Sequence, residues 1–493
     1  MKTLNRLPVF AVVFACILAA AAPVFAETYY VDNQNGSDSN AGTNKGAAWK
    51  LCPGMKGFKA AYTHREGDVF IFKGGVTWSG EDLLTTAYSG GAENPDRYTV
   101  DKSWYSGGGW SPPVFDGNGG GARIIHSLGR DNLVFDGLKF VNAGLQSDGS
   151  GYGIRIASGS NIEIRNCIFD TNSVNAMAFG GAKENSKKLY FHDNIIRNAG
   201  RIHVSTGDYA LDDVQFYNNV FEGPGTYDPH KYHCDGIMIG ADGISEHKVT
   251  NLKIYNNKFY GDWTRGATAH IYLNGSLRHF STRHTDIFNN LLVLEHVSRT
   301  GRAQLSPGFI YVLGGNDDIR IYNNTIDGNI DRAPVGACIA LHSETSNVDI
   351  RNNILSGCDN GITIHKTVTG KVTADHNLFN TALGNHLIWD ARANNRYNSC
   401  QEIQANGFGR NFCRKGDPKF VASPAGSMGS GDFHLRPDSP AVDNGIPLGA
   451  LYAKDADGNS RPQGAGWDIG AYESKAAAVR SKPPPPANLR IVK

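Results

Sequence analysis

The stretch "NLKIYNNKF", residues 251–259, decides the fold of this chain. Its first part alternates, because Leu252 and Ile254 point to one side of an extended strand while the positions between them point to the other. Two asparagines then end the alternation and mark a corner. A strand of this length cannot bury its apolar face by itself. The fold therefore depends on what the rest of the chain offers for this face to pack against.

The chain offers further copies of the same unit, each an alternating strand, an Asn-rich corner and another apolar pair. These copies are "NLVFDGLKF" (132), "NIEIRNCIF" (161), "KLYFHDNII" (188), "DVQFYNNVF" (213), "HTDIFNNLL" (284), "DIRIYNNTI" (318), "NVDIRNNIL" (347) and "KVTADHNLF" (371). From Asn257 the corner recurs at residues 290, 324, 353 and 377, with spacings of 33, 34, 29 and 24 residues. Repeats of this period indicate a solenoid, in which each coil packs only on its neighbours.

A second set of apolar pairs lies between the corners. It comprises "YGIRIAS", "NAMAFGG", "CDGIMIG", "AHIYLNG", "GFIYVLGG", "ACIALHS" and "NGITIHK". One coil thus supplies at least two strands, and three strands per turn is the natural closure. We predict an all-β, single-stranded parallel β-helix whose corner amides stack at the coil spacing of about 4.8 Å. Asparagine also tolerates the left-handed backbone that a sharp corner requires.

Composition and the N-terminus narrow the class of protein. A formal net charge of +1 gives no electrostatic reason to expect a nucleic acid or an anionic membrane as partner. Residues 1–26 have the pattern of a Sec signal peptide, since Lys2 and Arg6 precede an apolar run that ends in small residues. No second apolar run of spanning length follows. We expect a monomer without a membrane span that is secreted or periplasmic.

The cysteines fit an oxidising compartment. Seven follow the signal peptide, and the nearest neighbours in sequence are Cys338 with Cys358 and Cys400 with Cys413. Their spacings match no zinc signature. We expect each of the seven to be either disulfide-bonded or a buried thiol.

The repeats also carry a family resemblance. The tandem "IxIxNN" coils resemble the right-handed parallel β-helix repeats of the pectin-lyase-like superfamily. The segments "TYYVDNQNGSDSNAGTNKGAAWK" (28–50), "GDVFIFKGGVTW" (67–78) and "GDFHLRPDSPAVDNG" (431–445) are similar to the first strand, first complete coil and closing segment of many members. The resemblance implies a right-handed helix and a polysaccharide ligand. It does not choose among lyases, hydrolases, epimerases and non-catalytic binders.

Repeats and resemblance together predict the organisation of the chain. Residues 27–130 form an N-terminal cap and the first coils, with a short helix expected in "MKGFKAAYTHREGD" (55–68). Residues 131–380 are the regular β-helix, and residues 381–474 are irregular C-terminal coils with a closing segment. Residues 475–493 are rich in proline and are expected to be a disordered tail.

The second strand set offers the candidate binding face, because the interior of a β-helix is packed and a ligand must lie along an outer face. If the apolar pairs point inward, the outward positions are Arg155, Met238, His270, Tyr272, Asn274, Tyr311, His342 and His365. Two insertions, residues 222–233 and 261–284, extend the neighbouring coils, and inserted loops on a rigid scaffold commonly carry function. Residues 260–302 hold five arginines and four histidines against three acidic residues, which suits an acidic polysaccharide.

The leading prediction is a polysaccharide lyase that works by β-elimination. Removal of the C5 proton of a uronic acid requires a cation that neutralises the carboxylate, a base and a proton donor. The candidate catalytic residues are Asp228, His230, Lys231, His270 and Tyr272. The candidate substrate-binding residues are His233, Asp235, Arg265, Asn274, Arg278, Tyr311 and His342.

Three other functions remain open. "DPH" (228–230) resembles the Asp-Pro-His core of mannuronan C5-epimerases, which implies catalytic roles for Asp228 and His230, although Lys231 stands where those enzymes commonly have an acidic residue. A glycoside hydrolase requires carboxylates roughly 5–9.5 Å apart. Asp235 is a candidate, but its sequence context favours an Asp-Gly corner before a strand. A non-catalytic glycan-binding or matrix protein requires only the aromatic side chains.

No cofactor or metal ligand can be assigned with certainty from the sequence. Residues 32–42 and 455–460 are rich in oxygen ligands, which leaves Ca²⁺ as an option. Neither segment has the spacing of an EF-hand, and turn formation explains both.

Overall fold

The computed structural model describes residues 25–120, 123–144, 151–170, 175–180, 186–200, 202–206, 210–223, 235–240, 247–261, 263, 268–275, 280–295, 308–328, 336–381, 386–409, 412–422, 429 and 431–474. The expected signal peptide up to residue 24 and the expected tail, residues 475–493, lie outside the described residues. Both therefore stay predictions.

The described strands form three sheets of twelve strands each, parallel except at one edge of sheet 2. Sheet 1 contains Thr28–Val31, Val69–Phe72, Asp96–Val100, Leu133–Asp136, Ile162–Arg165, Ser186–His192, Leu211–Tyr217, His247–Tyr255, Phe280–Phe288, Asp317–Tyr322, Ser346–Arg351 and Val372–Asp375. Sheet 2 contains Leu84–Thr85, Arg123–Leu128, Tyr152–Ser158, Asn175–Phe179, Ile202–Thr206, Asp235–Ile239, Ile271–Gly275, Gly308–Gly314, Ala337–His342, Asn360–Ile364, Ile388–Asp390 and the antiparallel Asn395–Tyr397. Sheet 3 contains Thr77–Ser79, Val114–Asp116, Lys139–Val141, Ile168–Asp170, Ile195–Arg197, Val220–Glu222, Lys258–Tyr260, Leu291–Val293, Thr325–Asp327, Ile354–Ser356, Asn377–Asn380 and Cys413–Lys415.

A few elements lie outside the three sheets. Phe420–Ala422 pairs antiparallel with Asp432–Leu435. The α-helix Cys400–Ala405 begins at a capping box formed by Ser399 and Glu402. Short 3₁₀ turns span Lys45–Ala47, Lys102–Trp104 and Ala450–Tyr452. No helix in the described part of the chain is long and apolar enough to cross a membrane.

The predicted alternation holds in the repeated coils. Leu252 and Ile254 are fully buried, and Ile254 lies in register between Phe216 and Ile287 of the two neighbouring coils. Burial of such a side chain stabilises the fold by about 1.5–3 kcal/mol, so rows of inward residues hold the coils together. The expected all-β parallel β-helix with three strands per coil is confirmed.

A buried asparagine ladder runs along the corners between sheets 1 and 3. Asn257 Nδ2 donates to Asn290 Oδ1 at 3.0 Å and to the Phe216 carbonyl of the preceding coil at 2.9 Å. The same two bonds recur at each described rung: Asn194, Asn219, Asn257, Asn290, Asn324 and Asn353, with Asn377 as the last acceptor. The predicted amide stack is confirmed, and it begins at Asn194, before the first corner used in the sequence argument.

The two asparagines of each corner have different tasks. Asn256 adopts the left-handed backbone, with φ of 55°, and so turns the chain. Asn257, the second of the pair, is fully buried and forms the ladder. The sequence pattern predicts both tasks for one residue. The division follows from geometry, because only the residue after the turn points into the coil.

The N-terminal cap lacks the helix expected in residues 55–68, and that prediction is wrong. Gly57 has φ of 94°, which a right-handed helix cannot include. Phe58 and Tyr62 instead pack edge-on against Trp49, with ring centroids 5.2 and 6.0 Å apart. The first coil is thus closed by aromatic side chains rather than by a helix.

The C-terminal strap, residues 431–474, returns along the coils. Ile469 of the strap packs with Leu291 and Ile354 of the outer face of sheet 3. At the neighbouring corner, Asn289 Nδ2 donates to the Lys454 carbonyl at 2.8 Å. The strap therefore covers part of sheet 3 and its corner with sheet 1.

The cysteines follow the sequence expectation. Disulfides join Cys338 to Cys358 and Cys400 to Cys413. Cys52 and Cys167 are buried thiols, and Cys234 lies outside the described residues.

Candidate functional site

The outer face of sheet 2 carries most of the side chains that alternation placed there. Met238 pairs with Tyr272, and Tyr272 pairs with Tyr311, so three consecutive strands bring them into one row. The isoleucine before each of them is buried in the core, while the row itself belongs to a separate outer cluster. The prediction that these three side chains point outward is confirmed.

His270 does not belong to this face, and the prediction that it points outward is wrong. Its ring is fully buried beside Phe259, Trp263 and Phe309, with centroids 5.3, 4.6 and 5.0 Å away. At the bend from sheet 3 into sheet 2, two successive residues point inward, here His270 and Ile271, so strict alternation fails at that position. Burial lowers the pKa of His270 well below its usual value. A ring without access to solvent cannot serve as the base for a substrate on the outer face.

Four side chains form what we call the Tyr–His strip: Tyr272, Tyr311, His342 and His365. The Tyr272 and Tyr311 rings stack with centroids 4.9 Å apart and an angle of 10°. His342 meets Tyr311 edge-on at 5.5 Å and stacks on His365 at 4.3 Å. Rings stacked along the solenoid turn their edges outward. The strip therefore presents hydroxyl groups and ring nitrogens rather than ring faces. His342 and His365 are half-buried, whereas Tyr272 and Tyr311 are only 6% and 8% exposed.

Tyr311 and His342 have complementary protonation at neutral pH. Burial raises the pKa of Tyr311 to about 12, so its hydroxyl stays protonated. Burial, and then the positive charge that His365 can carry, lower the pKa of His342, so its ring stays neutral. A proton donor and a proton acceptor therefore lie side by side.

These two groups are not held by neighbouring side chains. Among the residues that the structure describes, neither the Tyr311 hydroxyl nor the His342 ring has a hydrogen-bond partner. Tyr272 differs, because its hydroxyl donates to Asn274 Oδ1 at 3.0 Å. His365 Nδ1 lies 2.8 Å from Thr367 Oγ1. Buried or half-buried polar groups are normally paired, so the open pair marks the point of this face that is best suited to a ligand.

Asp235 has a structural task at the start of its strand. Its carboxylate is fully buried, and Oδ1 accepts a hydrogen bond from the Ala269 N–H of the next coil at 3.1 Å. Position 236 requires glycine, because a Cβ there would lie 2.5 Å from the Phe259 ring. A corner thus accounts for "DG", and the assignment of Asp235 to substrate binding stays a prediction.

Arg155 also lies on the outer face of sheet 2, as predicted, with its guanidinium 5.2 Å from the centre of the Tyr152 ring. Five strand-to-strand steps separate it from Tyr311, which is about 24 Å at the usual strand spacing. Arg155 therefore cannot act on a sugar held at the Tyr–His strip.

Six candidates from the two insertions lie outside the described residues: Asp228, His230, Lys231, His233, Arg265 and Arg278. Their roles stay predictions. Alternation in the sequence predicts that His365 lies on this face, but it predicts no role for this side chain. The signal was present, because "IALHS" and "ITIHK" put a histidine after the last inward residue of consecutive coils, which predicts stacked imidazoles.

Metal binding has no support in the described part of the chain, which contains no group of three His, Cys, Asp or Glu side chains placed to hold an ion. The oxygen-rich segments form turns. Asp455 Oδ1 accepts from the N–H groups of Asp457 and Asn459, and Asp32 Oδ1 accepts from the Gln34 N–H. The Ca²⁺ option stays untested.

Comparisons with known proteins agree with the architecture. Residues 115–278 match a family model described as a right handed beta helix region. Similar solved structures include the pectate lyase Pel9A (15% identity, TM-score 0.47, 91% of this chain and 97% of that one). A GH136 lacto-N-biosidase from Eubacterium ramulus matches with 12% identity, a TM-score of 0.45, and 72% and 68% of the two chains. An alginate lyase from Paenibacillus sp. str. FPU-7 matches with 16% identity, a TM-score of 0.37, and 59% and 88%.

No curated protein sequence gives a significant match. The chain has a right-handed parallel β-helix fold. At these identities and TM-scores the solved structures carry no argument about function, which must be argued from the side chains of the site.

Proposed function

We propose that the protein is a carbohydrate-active enzyme that cleaves an acidic polysaccharide by β-elimination on the outer face of sheet 2. The observation that carries the proposal is the open pair of Tyr311 and His342, whose ring centroids are 5.5 Å apart. One group holds its proton at neutral pH and the other can accept one. General acid–base catalysis requires such a pair.

β-Elimination on a uronic acid assigns a task to each group. The neutral His342 ring takes the C5 proton, and the electron pair left behind forms the C4–C5 double bond. The C4–O4 bond breaks, and the Tyr311 hydroxyl gives its proton to O4. Tyr272 and Asn274, bonded to each other at 3.0 Å, lie in the adjoining coil and can accept or donate to sugar hydroxyls.

The sugar carboxylate must be neutralised before C5 can lose a proton. Arg265 and Arg278 are the candidates for this task, because they flank the strand Ile271–Gly275 that carries Tyr272. Their insertion lies in a locally basic run, residues 260–302, with five arginines against three acidic residues. This is the reason for proposing an acidic rather than a neutral polysaccharide.

Hydrolysis has less support on this face. Asp235 begins one strand of sheet 2 and Asp359 precedes another, four strand-to-strand steps away. The two are thus about 19 Å apart along the solenoid. A hydrolase requires its carboxylates to lie roughly 5–9.5 Å apart.

The proposed substrate lies outside the cytoplasm, and so would the protein. Two disulfides support this location, because disulfides form and persist in oxidising compartments. The signal-like pattern of residues 1–26 points in the same direction.

The test is incubation of the full chain with alginate, pectate, hyaluronate and chondroitin sulfate, each with and without Ca²⁺. We expect the ultraviolet absorbance of unsaturated uronate ends to rise with one of these polymers. Exchange of the C5 hydrogen for solvent deuterium without chain cleavage would instead identify an epimerase. Binding without either change would identify a non-catalytic binder, and both results would overturn the lyase proposal.

A further inference from the structure

The loop between the strands Asp96–Val100 and Val114–Asp116 carries three large aromatic side chains at the surface. We call Trp104, Tyr105 and Trp110 the aromatic platform. Trp110 is 38% exposed, whereas the other two are half-buried. The loop lies at the corner between sheets 1 and 3, near the N-terminal end of the solenoid. It therefore belongs to neither the outer face of sheet 2 nor the C-terminal strap.

The coil beneath is shaped to receive these rings. A Cβ at Gly74 would lie 2.6 Å from Trp110 Cζ3, and a Cβ at Gly75 would lie 2.7 Å from Tyr105 Cε2. Any larger residue at either position would displace a ring. The Gly75 N–H also donates to the Ser111 carbonyl at 2.9 Å, which fixes the end of the loop.

The rings are held at defined angles to one another. Tyr105 and Trp110 meet edge-on at 5.7 Å and 86°. Trp104 meets Tyr30 edge-on at 5.3 Å, so it is anchored to the first strand. The 3₁₀ turn Lys102–Trp104 begins at Asp101, whose carboxylate accepts from the Ser103 N–H at 2.9 Å. These contacts make the platform a preformed surface rather than a loose apolar loop.

Three lysines lie around the platform, and two of them form ion pairs with aspartates. Lys102 Nζ lies 5.8 Å from the centre of the Trp110 ring, and Lys73 Nζ lies 5.5 Å from that of Trp104. Lys45 adds a third cation, and the paired anions are Asp32 and Asp101. Three lysines against two aspartates leave one net positive charge.

We propose that the aromatic platform is a second binding site for an acidic polysaccharide, separate from the Tyr–His strip. A pyranose ring has a face of C–H groups and a rim of hydroxyls, which matches an aromatic surface with a polar rim. The lysines match the carboxylates or sulfates of an acidic chain. A stable protein partner would require about 800 Å² of surface on each side, more than three partly exposed rings provide.

This inference rests on the proposed function only for the class of ligand, an acidic polysaccharide. Five strand steps separate the coil of the platform from the strand that carries Tyr272, about 24 Å along the solenoid. A polymer held at the platform would remain near the enzyme while the strip binds and releases shorter segments. Two linked sites raise the apparent affinity for a long chain over that for a short one.

The experiment is affinity electrophoresis of the full chain in native gels that contain alginate, pectate, hyaluronate or chondroitin sulfate. We expect wild type to be retarded by one of these, Trp110→Ala to weaken the retardation at least about fivefold, and Lys102→Ala to weaken it less. Leu451→Ala is the matched control, since Leu451 is 49% exposed and lies on the strap. Melting curves check that each variant is folded.

The outcomes separate this inference from the proposed function. Retardation that persists in His342→Ala and is lost in Trp110→Ala supports a second site, even where no polymer is cleaved. Equal retardation of wild type and Trp110→Ala, or equal loss in Trp110→Ala and His342→Ala, overturns it. Absence of retardation of wild type by all four polymers overturns it as well.

Discussion

Sheets 1 and 2 each carry a row of aromatic rings on their outer faces, and the rows differ in what holds their polar ends. On sheet 1, His192, Tyr217, Tyr255 and Phe288 stack in sequence with centroids 4.4, 4.9 and 4.8 Å apart. The C-terminal strap closes this row, because Tyr452 packs edge-on against Phe288 at 5.1 Å. On sheet 2, no described ring contact joins the strap to the Tyr–His strip.

The histidines show the difference most clearly. His192 Nδ1 lies 2.6 Å from Asp193 and Nε2 lies 2.9 Å from Glu163, so both ring nitrogens are occupied. Among the described residues, the His342 ring has no such partner. Stacked rings are therefore a common way to cover a β-helix surface and do not by themselves indicate a site. An adjacent donor and acceptor that both lack a partner among the described residues, as Tyr311 and His342 do, indicate one.

The largest expected effect is on sheet 2. His342→Ala removes the proposed base and should lower turnover of the cleaved polymer by about 10²–10⁴-fold. Tyr311→Phe, which removes the proposed donor, should lower it by a similar factor. Initial rates of double-bond formation measure both.

The matched control for this test is His192→Ala on sheet 1. That variant should keep wild-type turnover when assayed well below its melting temperature. Full activity in His342→Ala, or equal losses in both histidine variants, would remove the functional distinction between the two faces.

The pH dependence should follow from the burial of Tyr311 and His342, which shifts their pKa values in opposite directions. The pKa of His342 is lowered by burial and by His365, so the rate should fall about tenfold per pH unit only below that pKa, on the acid side of 6.5. The alkaline limb should lie near the Tyr311 pKa of about 12. An acid limb above pH 7 would contradict the assignment of His342 as base.

The third effect is on stability and belongs to sheet 1. Burial by itself would lower the pKa of His192, but the hydrogen bonds to Glu163 and Asp193 outweigh it and raise the pKa. A raised folded-state pKa stabilises the fold fully below the unfolded value near 6.5, and this contribution is lost as pH rises through the folded pKa. His192→Phe keeps the stack and should lower the free energy of unfolding by about 2 kcal/mol at pH 5.5, and by less at pH 9.

Urea denaturation at the two pH values measures this change. His342→Phe is the control on sheet 2. The pKa of His342 is lowered, so its replacement should not cost more stability at pH 5.5 than at pH 9. The same pH dependence in both variants would show that the carboxylates beside His192 are not its cause.

The fold could be predicted because the sequence of each coil determines which of its residues point inward and where its corner lies. In "NLKIYNN", the alternation fixes which residues point inward, and the second asparagine fixes the corner, so nine copies of one short rule specify three sheets. The errors lie where that rule has an exception. His270 follows a bend at which two successive residues point inward, and residues 55–68 form no helix, with Gly57 in a left-handed conformation near their start.

The candidate site could be predicted only in part, for a physical reason. Alternation placed Tyr272, Tyr311 and His342 on one face, because orientation depends on local sequence. Whether a polar group is open depends on side chains one coil away, which lie 20 to 40 residues distant in the chain. The sequence therefore could not distinguish His192, paired with Glu163 of the preceding coil, from His342, whose ring has no partner among the described residues.

The next prediction tests which contacts hold the C-terminal strap on sheet 1. The Tyr452 hydroxyl donates to Asp286 Oδ1 at 2.5 Å in a buried contact that joins the strap to sheet 1. Tyr452→Phe should lower the free energy of unfolding by about 1.5 kcal/mol, because a buried carboxylate loses one hydrogen bond. Arg320, which also contacts Asp286, limits the loss. Unchanged stability in a urea titration would show that the strap is held by its apolar contacts alone.

The smallest expected effect tests whether the loss of an open tyrosine hydroxyl lowers turnover only at the proposed catalytic position. Tyr217 stacks between His192 and Tyr255, and its hydroxyl has no hydrogen-bond partner among the described residues. Tyr217→Phe should change the free energy of unfolding by less than about 0.5 kcal/mol and should leave turnover unchanged. Tyr311→Phe makes the same chemical change on sheet 2 and should be equally mild for stability, yet severe for turnover. If both variants keep full activity, an open hydroxyl beside a histidine is only another part of the surface, and the catalytic pair must be sought in the insertions.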